Sequence, residues 1–410
     1  MYHFGLIDFG EMYMRVVQIN ATCGSGSTGK ICTSISSIIS NNDIENYILY
    51  SSGRSEYPHG FRYMTDLEVK MGALESRIRG NFGFNGSSGT KKMISKLKEI
   101  NPDIVHLHNI HSHNCNLEIL FDYLKKEKKN VVWTFHDCWA FTGSCTYFSY
   151  TGCEKWKTKC NKCPKAHEFS WFLDTSKILF DRKKEAFKDS KMIIVTPSKW
   201  LAELVKDSFL KSYPVEVINN GIDRSVFKPT HNSFREDNNI SNSDKMILGV
   251  GFEWGLRKGL DIFIELSKRL PDHYKIVLVG TNDDIDKQLP QNILSIHRTE
   301  NQKELAAIYS AADVFVNPTR EDNYPTVNME SLSCGTPVIT FNTGGSPEII
   351  DDTCGIVVKQ EDVEGLIGAI SRLDDGPLFA ANACLKKANE FDQVLCFSKY
   401  LDLYRKILMI

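Results

Sequence analysis

The absences in this chain narrow it first. No apolar run approaches the roughly 18 residues that crossing a bilayer requires, and no signal peptide precedes the first clear strand. The sequence therefore reads as soluble and cytoplasmic. It also lacks a charge imbalance: 49 Lys plus Arg face 51 Asp plus Glu, a formal net charge of -2. Nothing calls for nucleic acid as a partner. With no export signal, the 12 cysteines argue for reduced thiols rather than a disulfide framework. Residues 1–13 fit no element and read as an extension from an upstream start. At 410 residues the chain exceeds one ordinary core, so two domains of roughly 200 residues are expected.

What is present is an alternation. Short β-branched runs at Arg15–Asn20, Tyr47–Tyr50, Ile104–Leu107, Val131–Phe135, Ile193–Thr196 and Val215–Ile218 are separated by helical patterns, among them one from about Thr28 and one near Thr90–Ile100. After a polar linker, His231–Lys245, the series restarts at Ile247–Val250, Lys275–Val279, Ile293–Ile296, Val314–Val316 and Val338–Thr340. Such alternation builds parallel, doubly wound sheets. The expected fold is α/β, with a Rossmann-like domain over 14–225 and a second over 226–390. The helical stretch from about Asp362 to Leu408 exceeds what the second sheet needs, and 391–410 is expected to cross back onto the first domain.

Several strand ends carry chemistry. Gly24-Ser25-Gly26-Ser27-Thr28-Gly29-Lys30 follows the first strand and nearly spells a P-loop. Ile31 stands where the Mg²⁺-binding hydroxyl belongs, so the turn reads instead as backbone N–H groups presented to a phosphate or sugar. Pro102–His108 ends a buried strand in imidazoles, with Asn109, His111 and His113 beyond; another strand ends in His136-Asp137. Two such ends in one sheet favour a cleft, with His136 nearest the reacting carbon and Asp137 orienting a histidine or capping a turn. Arg257-Lys258-Gly259 before an amphipathic helix makes a diphosphate clamp. The stretch Thr319–Ile350 brings Glu321-Asp322, the helix Val327–Leu332, a buried strand and the Gly344-Gly345 loop around one strand end, where a nucleotide ligand sits in an open α/β sheet.

The loop 143–165 holds Cys145, Cys153, Cys160 and Cys163. The Cys160/Cys163 spacing is that of a zinc knuckle, with two thiols upstream to complete a tetrahedron. Free thiols or a disulfide are the alternatives. Two basic runs, Lys91, Lys92, Lys96 and Lys98 and then Lys125 to Lys129, are solvated faces or, for a lipid-linked acceptor, a surface for anionic lipid.

The order of these motifs resembles the retaining family-4 glycosyltransferases of the GT-B fold, over nearly all the chain from Met14 onward. The marks are the glycine-rich turn, PDIVHLH, Thr134-Phe135-His136-Asp137, INNGID, RKG, the acidic motif and GGSPE. Within the family the chain is similar to capsular, exopolysaccharide and colanic-acid-type transferases. The resemblance implies two Rossmann-like domains facing a central cleft, a nucleotide-diphosphate sugar as donor held by the second domain, and a saccharide or lipid-linked saccharide acceptor held by the first. It assigns Arg257 and Lys258 to the diphosphate, Glu330 to the ribose diol, His136 to the transferred sugar, and the Gly344-Gly345 backbone to sugar or phosphates. Arg298 falls where the family contacts the base. Gly29, Asn323 and Thr326 complete the donor set, and Gly26, Ser27, His108, His111 and Asp137 the acceptor side. The first acid of the family's pair falls on Asp322, with Glu321 beside it, so either carboxylate could fill that role. No catalytic metal is expected. The rivals are an epimerase or hydrolase of the same fold, a P-loop triphosphatase, and a non-enzymatic sugar-nucleotide-binding protein.

Overall fold

Two parallel sheets organise the chain, and their facing edges make the cleft. The computed structural model describes residues 14–42, 44–111 and 113–409; the extension read at residues 1–13 lies outside them. The first sheet contains β1 (Arg15–Asn20), β2 (Glu45–Tyr50), β3 (Gly60–Arg62), β4 (Ile104–Leu107), β5 (Asn130–Thr134), β6 (Met192–Thr196) and β7 (Val215–Val217), in the order β3-β2-β1-β4-β5-β6-β7. The second contains β8 (Lys245–Val250), β9 (Tyr274–Val279), β10 (Ile293–Ile296), β11 (Val314–Asn317), β12 (Val338–Phe341) and β13 (Gly355–Val358), in the order β10-β9-β8-β11-β12-β13. All pairings within the two sheets are parallel.

Central strands such as β1 and β4 are buried on both faces, which explains their near-continuous apolar runs. In each sheet the strand order reverses beside the first strand, between β1 and β4 and between β8 and β11. A doubly wound sheet opens its ligand crevice at that switch point, beyond the carboxyl ends of the strands.

Two strands escape the sequence pattern. β3 is a three-residue strand and β13 a four-residue strand opening on glycine; both lie at sheet edges, too short to show a period. The polar linker contains a single helical turn, Phe234–Asp237, held by Arg235 bonds to the Ala311, Ser241 and Asp244 carbonyls. The C-terminal stretch is several helices rather than one. Val363–Ser371 and Ala381–Ala388 stay with the second sheet, and Gln393–Leu408 leaves it.

That last helix starts where Ile222 bridges Asp392. Gly221 permits the approach, since a Cβ there would stand 2.5 Å from Gln393 Cα. Phe397, Tyr400, Leu401 and Tyr404 then pack with Met14, Val16, Ile31, Ile35 and Val132. Each fully buried side chain of this kind contributes about 1.5–3 kcal/mol. The helix is therefore part of the first domain's core.

Candidate active site

The carboxyl ends of the two sheets face each other across a cavity of about 440 Å³. The first domain lines it with Ser27, Thr28, Asn109, His136, Asp137 and Tyr147, and the second with Phe252, Arg257, Lys258, Asp322, Asn323, Thr326 and Glu330. Two larger hollows, of about 530 and 640 Å³, each lie on one domain and contain none of the motif residues.

On the second domain, the exit of β8 runs into the short 3-10 turn Leu256–Lys258 and then Gly259. Gly259 has φ +73°, and a Cβ there would stand 2.6 Å from the Pro318 carbonyl oxygen, so glycine lets this loop close onto the exit of β11. The contact is locked by the Arg320 N–H donating to the Arg257 carbonyl at 2.8 Å. Buried Arg320 is held in turn by both oxygens of Asp261, at 2.7 and 2.8 Å, and by Glu361. On this base the Lys258 ammonium lies 2.6 Å from Asp322 Oδ2. The Arg257 guanidinium donates to the Glu321 carbonyl at 3.3 Å and faces the Tyr147 ring.

Glu321 and Asp322 point to opposite sides of their loop. Asp322 lines the cavity, whereas the Glu321 carboxylate accepts the Tyr150 N–H at 2.9 Å and lies 3.8 Å from Lys165 Nζ. Gly344 and Gly345 form the floor beneath this loop and do not line the cavity. Gly344 has φ +56°, and a Cβ on either glycine would strike the Asp322 or Asn323 carbonyl. Asn323 joins the domains: its Oδ1 accepts from Ser198 Oγ at 2.7 Å, and its Nδ2 donates to the His136 carbonyl at 3.1 Å. Glu348 adds a second link, accepting the Lys199 and Trp200 N–H groups.

The helix Thr326–Ser333 presents Thr326 and Glu330 to the cavity. Burial pushes the Glu330 carboxyl up to about 7, opposed by the Tyr309 hydroxyl bond, the charge of Lys30 and a bond with Thr326. Lys30, the lysine of the near P-loop, thus acts on this carboxylate from across the cleft. Arg298 is exposed beyond β10 and lies outside the cavity lining.

On the first domain, Gly24 and Gly26 have positive φ, and Gly29 packs so closely on Thr22 that a Cβ would stand 2.6 Å from its hydroxyl. Ser27 and Thr28 reach the cavity; Gly26 and Gly29 support that turn without lining it. His136 sits at the end of a buried chain. Gln18 Nε2 donates to the Cys32 carbonyl and Ser36 Oγ, which leaves its Oε1 to accept from His108 Nε2 at 2.9 Å. Neutral His108 then accepts at Nδ1 from His136 Nε2, 3.1 Å away. His136 accordingly carries its proton on Nε2 and has Nδ1 as its remaining lone pair. Burial brings His136 down to about 4, against the Asp137 charge, so the ring is neutral at neutral pH. His108 is buried and orients His136 rather than meeting the cavity.

Burial alone would raise the Asp137 carboxyl, but the charge and hydrogen bond of His111 and the Trp139 N–H hold it below its usual range. His111 Nε2 is 3.3 Å from Asp137 Oδ2, behind the cavity wall. The four loop cysteines share a separate small hollow, with Cys145 and Cys163 sulfurs 3.8 Å apart. Among the lining residues not singled out from the sequence are Phe252 and Tyr147. Phe252 is 90% exposed, and its place at a strand exit beside RKG was the available signal. Tyr147 had none, being one aromatic among many in its loop.

Comparison with known proteins gives two family matches. Residues 77–226 match Glycosyltransferase Family 4, and residues 244–375 match Glycosyl transferases group 1. A relative from Escherichia coli (strain K12), WcaC, described as a colanic acid biosynthesis glycosyl transferase, is 22% identical over 374 residues, covering 86% of this chain and 89% of its own. Sucrose-phosphate synthase from Thermosynechococcus elongatus superposes with a TM-score of 0.71 at 15% identity, covering 97% of this chain and 99% of that one. Anabaena HepE in complex with UDP-glucose gives 0.68 at 14%, covering 96% and 100%.

Proposed function

Since the chain belongs to the family 4, group 1 glycosyltransferases, we propose that it moves a hexosyl group, with retention of configuration, from a nucleotide-diphosphate sugar to a saccharide or lipid-linked saccharide in surface polysaccharide assembly. One observation carries the reading: Arg257, Lys258, Asp322 and Glu330 of one domain converge with His136 of the other on a single cavity. A colanic acid relative and a UDP-glucose-bound structural neighbour support the polymer and the donor class.

In this reading Arg257 and Lys258 take up the negative charge that develops on the departing diphosphate, so the catalysis is electrostatic and needs no bound metal. Lys258 exchanges its Asp322 partner for a phosphate oxygen when donor binds. Ionised Glu330 accepts the two ribose hydroxyls. His136 accepts a sugar hydroxyl at Nδ1, and Asp322 borders the transferred sugar. The acceptor hydroxyl attacks from the leaving-group face; the bond from its oxygen to the anomeric carbon forms as the bond to the diphosphate breaks. Its proton passes to a phosphate oxygen.

A panel of nucleotide sugars, read by thermal shift and then by product analysis with acceptor oligosaccharides, tests this. A product whose anomeric configuration matches the donor is expected. Inverted product overturns retention. Sugar released or epimerised equally well without acceptor favours the hydrolase or epimerase.

Membrane contact, in this reading, rests on a different surface from the lysine runs. Lys92, Lys96 and Lys125 pair with Glu68, Glu99 and Asp122, and Lys129 with the Asn101 side chain and the Pro102 carbonyl. The helix Asp66–Arg79 instead exposes Leu67, Met71, Leu74 and Ile78, one stripe at helical spacing, and exposed Trp171, Phe172 and Leu173 adjoin it through the Trp171 N–H bond to the Arg77 carbonyl. An apolar stripe flanked by exposed aromatic rings suits a lipid surface, with Lys70 on the same helix for anionic headgroups, while Arg79 pairs with Glu75 and Arg77 donates to the Glu168 carbonyl. Flotation with anionic vesicles is expected to be lost in Leu67→Glu/Met71→Glu; equal flotation of that variant overturns the assignment.

A further inference from the structure

The reaction leaves the cysteines of loop 143–165 unused, yet they are gathered. Cys145, Cys153, Cys160 and Cys163 all line one small hollow together with Phe148 and Trp156. The Cys145 and Cys163 sulfurs are 3.8 Å apart. A disulfide would bring them to about 2.05 Å. Thiolates at about 2.3 Å from a tetrahedral zinc ion stand about 3.8 Å from each other. Cys160 Sγ accepts the Gly143 N–H at 3.3 Å, and the Lys165 N–H is directed at Cys163. Main-chain donors of this kind favour thiolate. Among the described residues no three of these sulfurs lie within 4.8 Å of one another, so Cys153 and Cys160 must turn inward to close a tetrahedron.

Lys183 supplies an independent observation. Its side chain is fully buried, and its ammonium donates to two main-chain carbonyls, Trp139 at 2.7 Å and Thr142 at 3.2 Å, and lies 3.4 Å from the Trp139 ring centroid. Among the described residues no carboxylate lies within ion-pair distance of it. Its electrostatic neighbours are Cys160, Asp137 and Cys145. Burial disfavours its charged form, so its charge calls for more counter-charge than the Asp137 carboxylate alone supplies. A divalent ion held by four thiolates carries a net charge of about -2 and would supply that counter-charge.

We propose that Cys145, Cys153, Cys160 and Cys163 form a structural site for a thiophilic divalent cation, zinc, which fixes loop 143–165 against the donor-binding loop of the second domain. Four thiolates leave no open coordination position, so the ion holds structure and does not meet substrate. The loop it fixes supplies the Tyr150 N–H and Lys165 ammonium to Glu321, and the rings of Tyr147 and Tyr150 to Arg257 and Arg320. Metal occupancy thereby couples to nucleotide affinity; this coupling rests on the reading of Arg257 as a diphosphate ligand, and the metal site itself does not.

The test uses the full chain purified without chelator. Expected are one zinc per chain by elemental analysis and, after exchange with Co²⁺, the absorption of tetrahedral cobalt thiolate. Cys145→Ser and Cys163→Ser should each lower occupancy at least tenfold. Should those variants not fold, wild-type protein stripped by chelator and reloaded with zinc serves instead. UDP affinity should fall several-fold on stripping and recover on reloading. Lys258→Ala should retain its zinc while losing transfer, which separates this proposal from the reaction. Metal-free protein that shows no cobalt thiolate absorption, or a Cys145–Cys163 disulfide, overturns the site. Unchanged UDP affinity after stripping overturns the coupling.

Discussion

Glu321 and Asp322 are consecutive, yet their carboxylates serve different domains: Glu321 receives the Tyr150 N–H of the first domain at 2.9 Å, while Asp322 holds Lys258 of its own at 2.6 Å. The family's first-acid role therefore falls, in our reading, on Asp322, with Glu321 as an interdomain tether.

Lys258→Ala should lower kcat by about 10²–10³-fold, the usual cost of deleting one group that stabilises developing charge. Its effect on unfolding should stay near or below about 1 kcal/mol, because a partly exposed ion pair contributes little. Steady-state kinetics beside urea denaturation checks both. Asp322→Ala should cost transfer as well, whereas Glu321→Gln should act mainly through domain closure and alter donor KM more than kcat.

Glu330 sets stability against function. Its folded-state value of about 7 lies above the ordinary 4.5, burial being the main cause. Stability attached to such a group is fully present below about 4.5 and is lost as pH rises through 7. Glu330→Gln should therefore stabilise the free protein above pH 7, by up to about 3 kcal/mol, while abolishing the gain in donor affinity that our reading expects of the wild type as Glu330 ionises. Chemical denaturation and donor titration at pH 5.5 and 8 distinguish the two effects.

The parts legible in the sequence were those set by local pattern. Strand cores such as Val131–Thr134 and Ile247–Val250 announce themselves by β-branched runs, and the motif residues follow strand ends in a fixed order. Strand neighbours were not legible. That β4 and β5 pair with His106 opposite Val132 is what carries His108 to His136, and no local signal states it. The Gln18–His108–His136 chain, the Asn323 clasp and the outward turn of Glu321 depend on contacts between segments 28 to 187 residues apart. Likewise Gly344-Gly345 signalled a loop whose backbone approaches the ligand, but only the packed loop shows that the space their missing Cβ atoms leave is filled by the Asp322 and Asn323 carbonyls.

The C-terminal helix should control the buried histidines. Tyr404 OH lies 2.7 Å from His106 Nδ1, and Tyr400 OH 2.9 Å from Thr134 Oγ1, which in turn meets His106 Nε2 at 2.8 Å. Tyr404→Phe leaves a buried ring nitrogen unpaired, so a loss of about 1–3 kcal/mol is expected in denaturant unfolding. Removing residues 393–410 should do far more and prevent the first domain from folding, because Phe397, Tyr400, Leu401 and Tyr404 belong to its core.

The tautomer of His136 gives the sharpest check on the cleft. Gln18 Oε1 can only accept, so the chain through His108 fixes the proton on His136 Nε2. Nitrogen chemical shifts of the labelled imidazole should show Nε2–H at pH 7, and the ring should stay neutral until pH nears its depressed value of about 4. Gln18→Met removes the acceptor and should mix the tautomers, whereas Gln18→Glu keeps a carboxylate oxygen there and should preserve the order. The same depression makes stability fall as pH drops from about 6.5 through about 4, since the unfolded chain takes up protons that the folded one refuses. His136→Gln should flatten part of that slope, leaving the part due to buried His106 and His108, which burial also holds well below the ordinary range. An Nδ1–H tautomer in the wild-type protein would remove His136 as an acceptor for a sugar hydroxyl and would require it to donate instead.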